Sequence, residues 1–230
     1  MAGADLTAAQ EADTLASALR LWEEAQPIAG TLAEHYLADA RRIDIDKLPA
    51  ESSQVLRFHP MCVFGPGTRV PCLLALFRDA ETDAPAGIHR IALTPEVLAG
   101  GKVERRMLGR WPAARAIKLW PAESSLVIGE GIETVLAAAS RLQHRGALLR
   151  PAWAIGSSQG IARLPLIAGI KQLTILVDND ANGVGPSNAK ECAKRWAAAG
   201  RAVGLLTPRQ SGADFNDLVR GSARHETHTH

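Results

Sequence analysis

Carboxylates recur in this chain where apolar runs end. The run 125–129, SLVIG, gives way to Glu130, with Gly131 beside it and Glu133 three residues further on. The run 172–177, QLTILV, gives way to Asp178, Asn179 and Asp180, followed by Gly183 and Gly185. A third group, Asp214 and Asp217, sits in GADFNDL. Side chains two apart on extended backbone leave on the same face, about 6–7 Å apart along the chain, so Asp178 and Asp180 repel each other there. A hard divalent cation relieves that repulsion, and all-oxygen ligands suit Mg²⁺ or Mn²⁺. Several carboxylates in one cleft are what phosphoryl or nucleotidyl transfer needs, because two metals about 3.5–4 Å apart steady the attacking and leaving oxygens together. Each acid also has a structural reading. Glu130 can be a helix-entry carboxylate and Glu133 a first-turn capping residue. Asp214 can be an N-cap, or can share one helix face with Asp217. No Ser-His-Asp or Cys-His arrangement competes with comparable motif support.

The elements that must position these acids alternate beyond Pro121. Strands are expected at 125–129, 152–156, 172–177 and 202–206, and helices at 132–144, 187–199 and 214–220. That alternation predicts a parallel α/β sheet, and ligands of such sheets bind at the carboxyl ends of the strands. Upstream, Ala-rich helical periodicity covers 5–25, Pro27 interrupts it, and a short second helix is expected over 29–40. From residue 54 the runs VLRFH, CLLALFRD and GIHRIAL, and RAIKL at 115–119, read as a small antiparallel or mixed sheet. The expected organisation is a helical and β-rich unit at 1–121, the parallel α/β unit at 122–220, and a flexible polar tail at 221–230. The closely spaced His residues of the tail suit either metal chelation or a solvated terminus.

The chain is long enough, at 230 residues, to bury a core without staples. A net charge of +2 is too small for a wholesale polyanion-coating protein, so any nucleic-acid contact must come from a local patch. The stretch 87–118 offers one: Arg90, Lys102, Arg105, Arg106, Arg110, Arg115 and Lys118 face only Glu96 and Glu104. His89, Trp111 and Trp120 interleave it, so phosphate contact and base stacking are one reading, and a solvated hairpin with core tryptophans is the other. Lys190, Lys194 and Arg195 are weaker candidates on a charged helix face. Three cysteines without a CxxC pair argue against a zinc ribbon and for reduced thiols in a cytoplasmic setting. No basic leader followed by an apolar run, and no apolar run of about 18 residues, points to secretion or a membrane.

GEGIETVLAA at 129–138, VDNDANG at 177–183 and GADFNDL at 212–218 together resemble the Toprim domain of bacterial primases, topoisomerases and some nucleases, and more closely the Toprim proteins of phage and plasmid primases. AEHYLADARRI, VLRFHP, PCLLALFRD and GIHRIALTP are similar to the N-terminal part of those primase-like proteins. The resemblance implies a Rossmann-like parallel sheet with helices on both faces, preceded by a smaller α+β subdomain. It implies a site in which Glu130 serves as acid or base or helps hold metal, while Asp178 and Asp180 hold one or two Mg²⁺ ions. Glu133, Asp214 and Asp217 fall where relatives carry further acids, and Gly131 and Gly183 where backbone must approach metal or phosphate. The activity implied is metal-dependent, template-directed joining of ribonucleotides on single-stranded DNA, with nucleoside triphosphates as substrates and a helicase or zinc-binding chain as partner. A metal-dependent nuclease on the same acids and a non-catalytic replication-accessory protein are the alternatives. A topoisomerase is disfavoured, since the only tyrosine, Tyr36, lies in the helical N-terminal region.

Overall fold

The structure, a computed structural model, describes residues 2–49, 54–179, 183–210 and 212–225; side chains are described from residue 9 to residue 221 within those spans. Two sheets pack around a shared core. The N-terminal half begins with α1 (Ala2–Glu24) and α2 (Leu32–His35), which widens into a π-helical turn, Tyr36–Ala40. It continues with β1 (Leu56–Gly65), β2 (Thr68–Asp79), β3 (Pro85–Ala92), α3 (Pro95–Leu98), β4 (Arg105–Gly109) and β5 (Arg115–Ala116). Strands β1 to β4 form an antiparallel sheet in sequence order, and β5 pairs with the end of β2. The strand expected over 115–119 is thus two residues long as a ladder, although Ile117 still bridges to Ala154 in the second sheet.

The C-terminal half runs β6 (Ser125–Gly129), α4 (Ile132–Arg141), a small hairpin of β7 (Gln143–His144) and β8 (Ala147–Leu148), and β9 (Ala152–Ala154). It ends with α5 (Ser158–Arg163), β10 (Gln172–Leu176), α6 (Val184–Ala198), β11 (Ala202–Leu206) and α7 (Phe215–His225). The sheet is parallel throughout, in the order β11-β10-β6-β9. Crossover helices cover both faces, with α4 and α7 on one side and α5 and α6 on the other. Helix α4 stops at Arg141 because the chain turns into the β7–β8 hairpin, and α7 runs on to His225, into the stretch expected to be a tail. Helix α6 starts at Val184 because Gly183, at φ 70°, takes the left-handed conformation that only glycine adopts cheaply.

Helix α4 explains how the halves join. Apart from Arg141, every residue of it is buried, including the small run Ala137–Ala139. A helix apolar all round must be covered all round. The parallel sheet covers one side, and the other packs against Tyr36, Leu37, Ile43, Phe77 and Ile91 of the N-terminal half in a single apolar cluster. Helix α1 covers the opposite face of the antiparallel sheet, over Cys62, Phe64, Cys72, Leu74 and Ile88.

Candidate active site

The carboxyl ends of β6, β9 and β10 open into one cavity of about 260 Å³. Glu130 follows β6, Gly156 follows β9 and Asp178 follows β10, and all three line it. The register Ile128↔Ile175 carries Glu130 to the neighbourhood of Val177 and Asp178. Asp214 enters from the segment before α7. Asn179 holds that segment in place: its backbone N–H bonds to the Ala213 carbonyl (3.1 Å), and its side-chain amide donates to the carbonyls of Pro208 and Gln210, each at 3.0 Å. Nothing in its residue type marked Asn179 as more than a spacer between two acids.

Asp214 and Asp217 cap α7 reciprocally. Asp217 N–H donates to Asp214 Oδ1 (2.8 Å) and Asp214 N–H to Asp217 Oδ2 (3.2 Å). Asp217 is exposed and outside the cavity. Burial, the charge of Asp217 and that of Glu133 push the Asp214 carboxyl above its ordinary range. Asp180 lies outside the described residues. Among the described residues no three His, Cys, Asp or Glu side chains already converge as a metal cage. The donor set of Glu130, Asp178 and Asp214 nevertheless suits a hard cation, being all carboxylate oxygen in one cavity lining.

Glu133 behaves differently from the other acids. It is almost fully buried, and Oε1 accepts from both the Tyr36 hydroxyl (2.8 Å) and Arg105 Nη2 (2.7 Å). Burial pushes its pKa up, but the Arg105 guanidinium and the Tyr36 hydroxyl outweigh burial and hold it below the ordinary carboxylate range. Arg105 answers: the Glu133 charge overcomes its own desolvation and raises it. Burial and the Glu133 charge push the Tyr36 hydroxyl well up, so it stays a donor. Its ring supports Arg41, whose guanidinium lies 5.2 Å from the ring centre while Nε donates to the hydroxyl (3.0 Å).

Arg41, Arg105 and His89, all from the N-terminal half, line the same cavity as the acids. Asn216, buried on α7, donates to the Arg41 carbonyl (2.6 Å) and fixes that residue against the C-terminal half. Burial depresses the His89 imidazole to about 4, so it is neutral at pH 7, and no hydrogen bond reaches its buried Nδ1.

Of the seven basic residues of 87–118, the structure brings only Arg105 to the cavity. Arg90 is buried on the other face of the sheet and donates to the carbonyls of Val63 and Met107. Arg106 donates to Phe64 O (2.7 Å) and Glu104 (2.9 Å). Arg115 lies over the rings of Trp111 and Phe77, and Lys118 pairs with Asp83 (2.8 Å) over Trp153. Lys102 and Arg110 are exposed and away from the cavity. Trp120 is buried, and Trp111 packs edge-on against Phe77 at 5.6 Å. The reason is the strand period of two: Arg105 and Arg106 are sequence neighbours on β4 and leave on opposite faces. Arg41 was legible only as the end of a helix.

Residues 125–224 match the Toprim domain family, and residues 12–119 match a domain of unknown function, DUF7146. Over 125–224 the chain is thus similar to Toprim domains, which bind divalent metal ions and are found in nucleic-acid enzymes, and over 12–119 to DUF7146 domains. The α/β class with a preceding N-terminal domain is as the sequence implied. No curated protein and no solved structure matches the chain. Among the described residues no helix is long and apolar enough to cross a membrane.

Proposed function

We propose that the chain is a primase-like nucleotidyltransferase that joins ribonucleotides on a single-stranded DNA template with Mg²⁺ or Mn²⁺. The observation that carries this reading is the presence, in the lining of one cavity, of carboxylates at and near the strand ends together with the arginine pair Arg41 and Arg105. Carboxylates alone suit any metal-dependent phosphoryl chemistry. Two guanidiniums in the same lining suit a ligand that brings several phosphate charges of its own, as a nucleoside triphosphate does.

Glu130, Asp178 and Asp214, with Asp180 from the sequence pattern, are the residues that would hold the metal. When bound, it offsets the charge of the triphosphate and of the departing pyrophosphate. Glu130, at the end of β6, is placed to take the proton of the attacking ribose hydroxyl. Arg41 and Arg105 hold non-bridging phosphate oxygens and fix the angle of approach. Glu133 is read as a positioning residue for Arg105 rather than a ligand, and Asp217 as the cap of α7. All three cysteines are buried, so a zinc-binding chain or a helicase would supply template selection from outside.

The test is incubation with single-stranded DNA, labelled ribonucleotides and Mn²⁺. New oligoribonucleotides are the expected product. A shortened template without oligomers would replace this reading with a nuclease. The absence of both, together with Mg²⁺ binding unchanged in Asp178→Ala, would leave a non-catalytic accessory protein.

A further inference from the structure

From the arginines of the cavity a second set of cations leads away along the junction of the two halves. The segment from Tyr36 to Lys47 runs beside α4 from its first turn to its last. Tyr36 contacts Glu133 in the first turn, and at the far end Arg141 Nε donates to the Arg42 carbonyl (3.1 Å) and Asp44 N–H to Ser140 Oγ (3.4 Å). Beyond the helix, Arg150 Nη1 reaches the Lys47 carbonyl (3.4 Å). Glu133 and Arg141 are eight residues apart on α4, so this end of the seam lies about 12 Å from the cavity wall.

Arg42, Lys47, Arg141, Arg145 and Arg150 are all exposed along it, and the acids of the segment 36–47 are Asp39, Asp44 and Asp46, of which Asp39 pairs with His35 at 2.6 Å. The excess of these five cations over the three acids is two, as large as the net charge of the whole chain, +2. Lys47 pairs with Asp44 at 3.2 Å, whereas none of the four arginines has an ion-pair partner among the described residues. This contrasts with the 87–118 stretch, where Arg105, Arg106 and Lys118 are paired. The seam ends in a cleft of about 670 Å³ between Lys47 and Arg150, with Trp120 in its lining.

We infer that this seam is the track on which single-stranded DNA lies as it enters or leaves the cavity, its phosphates on Arg42, Arg141 and Arg150. The inference rests on the nucleic-acid reading of the site and adds to it a surface that the motif residues do not include. The partner is a flexible polyanion because the exposed cations are spread over the length of the junction, from Arg42 and Arg141 beside the last turn of α4 to Lys47 and Arg150 beyond it, rather than gathered around one point.

The test measures binding of a labelled single-stranded oligodeoxynucleotide by fluorescence anisotropy across a salt series. R42E/R141E/R150E is expected to bind at least about tenfold more weakly, with the log–log salt slope smaller by about 2, the value for three lost phosphate contacts on a single strand. R42Q/R141Q/R150Q, which keeps polar side chains of similar reach, should lose the same slope and retain the wild-type melt. R20E/R69E/K171E makes the same charge change on exposed cations of α1, β2 and the residue before β10, away from α4, and should leave the slope unchanged. Seam variants that keep the wild-type slope, or a control variant that loses as much, overturn the track. Primer synthesis by the wild type alongside unaffected seam variants removes the track and leaves the activity standing. A wild type that binds no polynucleotide at any salt removes both.

Discussion

The buried Glu133–Arg105 pair lends itself to a double-mutant cycle. Glu133 is 5% exposed and Arg105 is 44% exposed, with 2.7 Å between the charged atoms. Removing one partner of a fully buried pair costs about 3–5 kcal/mol, since the other charge is left uncompensated. Here solvent screens the arginine side, and Tyr36 still donates to Glu133, so Arg105→Met should cost about 2 kcal/mol. For a chain of this length that lowers the melting temperature by about 4–8 °C. Glu133→Gln should cost less, about 1 kcal/mol, because Arg105 can turn to water while the amide still accepts from Tyr36. The double variant should be no worse than Glu133→Gln, giving a coupling energy above about 1 kcal/mol. The pH dependence carries an independent sign. With Arg105 gone, burial acts on Glu133 against little more than the Tyr36 hydroxyl and lifts its folded pKa above the unfolded value. Arg105→Met is therefore most destabilised above that raised pKa, and the deficit narrows as pH falls through it. Chemical denaturation of the four proteins at pH 8 and pH 5 measures both quantities. A coupling below about 0.3 kcal/mol, or a deficit that is the same at both pH values, would refute the role given to this pair.

Four further outcomes are expected. His89, ordinary at 6.5 when unfolded and about 4 when folded, contributes stability that is complete above pH 6.5 and lost as pH falls toward 4. His89→Gln should flatten that part of the stability curve by about 2–3 kcal/mol, and a superimposable curve would dismiss the buried neutral imidazole. Gly156 has φ 87°, and a Cβ there would sit 2.6 Å from Phe77 Cζ. Gly156→Ala should cost more than about 2 kcal/mol in a thermal or urea melt, and a wild-type melt would contradict the packing at the end of β9. Asn179→Ala removes two hydrogen bonds and should lower stability by about 1–2 kcal/mol while weakening Mn²⁺ binding in a paramagnetic titration; loss of neither would leave Asn179 a spacer. Glu130→Gln should slow primer synthesis by about 10²–10⁴-fold with an unchanged melt, and full activity would remove it from proton transfer.

How much was legible in the sequence follows from the range of each signal. The acids at 130 and 178 announced themselves because parallel strands are short apolar runs and their carboxyl ends follow directly. Helix α5 went unread: Ser158–Arg163 is six residues with a glycine inside, and only the Ser157 side chain on Gly160 N–H (3.0 Å) marks its start. The basic stretch read as one patch because charge was counted along the chain. Had β4 been read as a strand, its period of two would have separated Arg105 from Arg106. Arg41 and the seam arginines were out of reach for a different reason. Arg42 and Arg141 become neighbours through tertiary packing of α4, and no local pattern encodes a contact across 99 positions.

The division of labour between the halves has an electrostatic logic. Glu130 and Asp178 at the strand ends and Asp214 before α7, with a fourth carboxylate expected from Asp180, crowd negative charge at one end of the C-terminal half. The N-terminal half contributes an ion pair to Glu133, the acid buried beside the cavity, and that pair holds the arginine in the cavity lining, where it also feels the charge of Asp214. Holding the cation by a buried fifth acid keeps carboxylates and guanidinium together in one lining, and a ligand that carries metal on one side and bare phosphate on the other satisfies both at once.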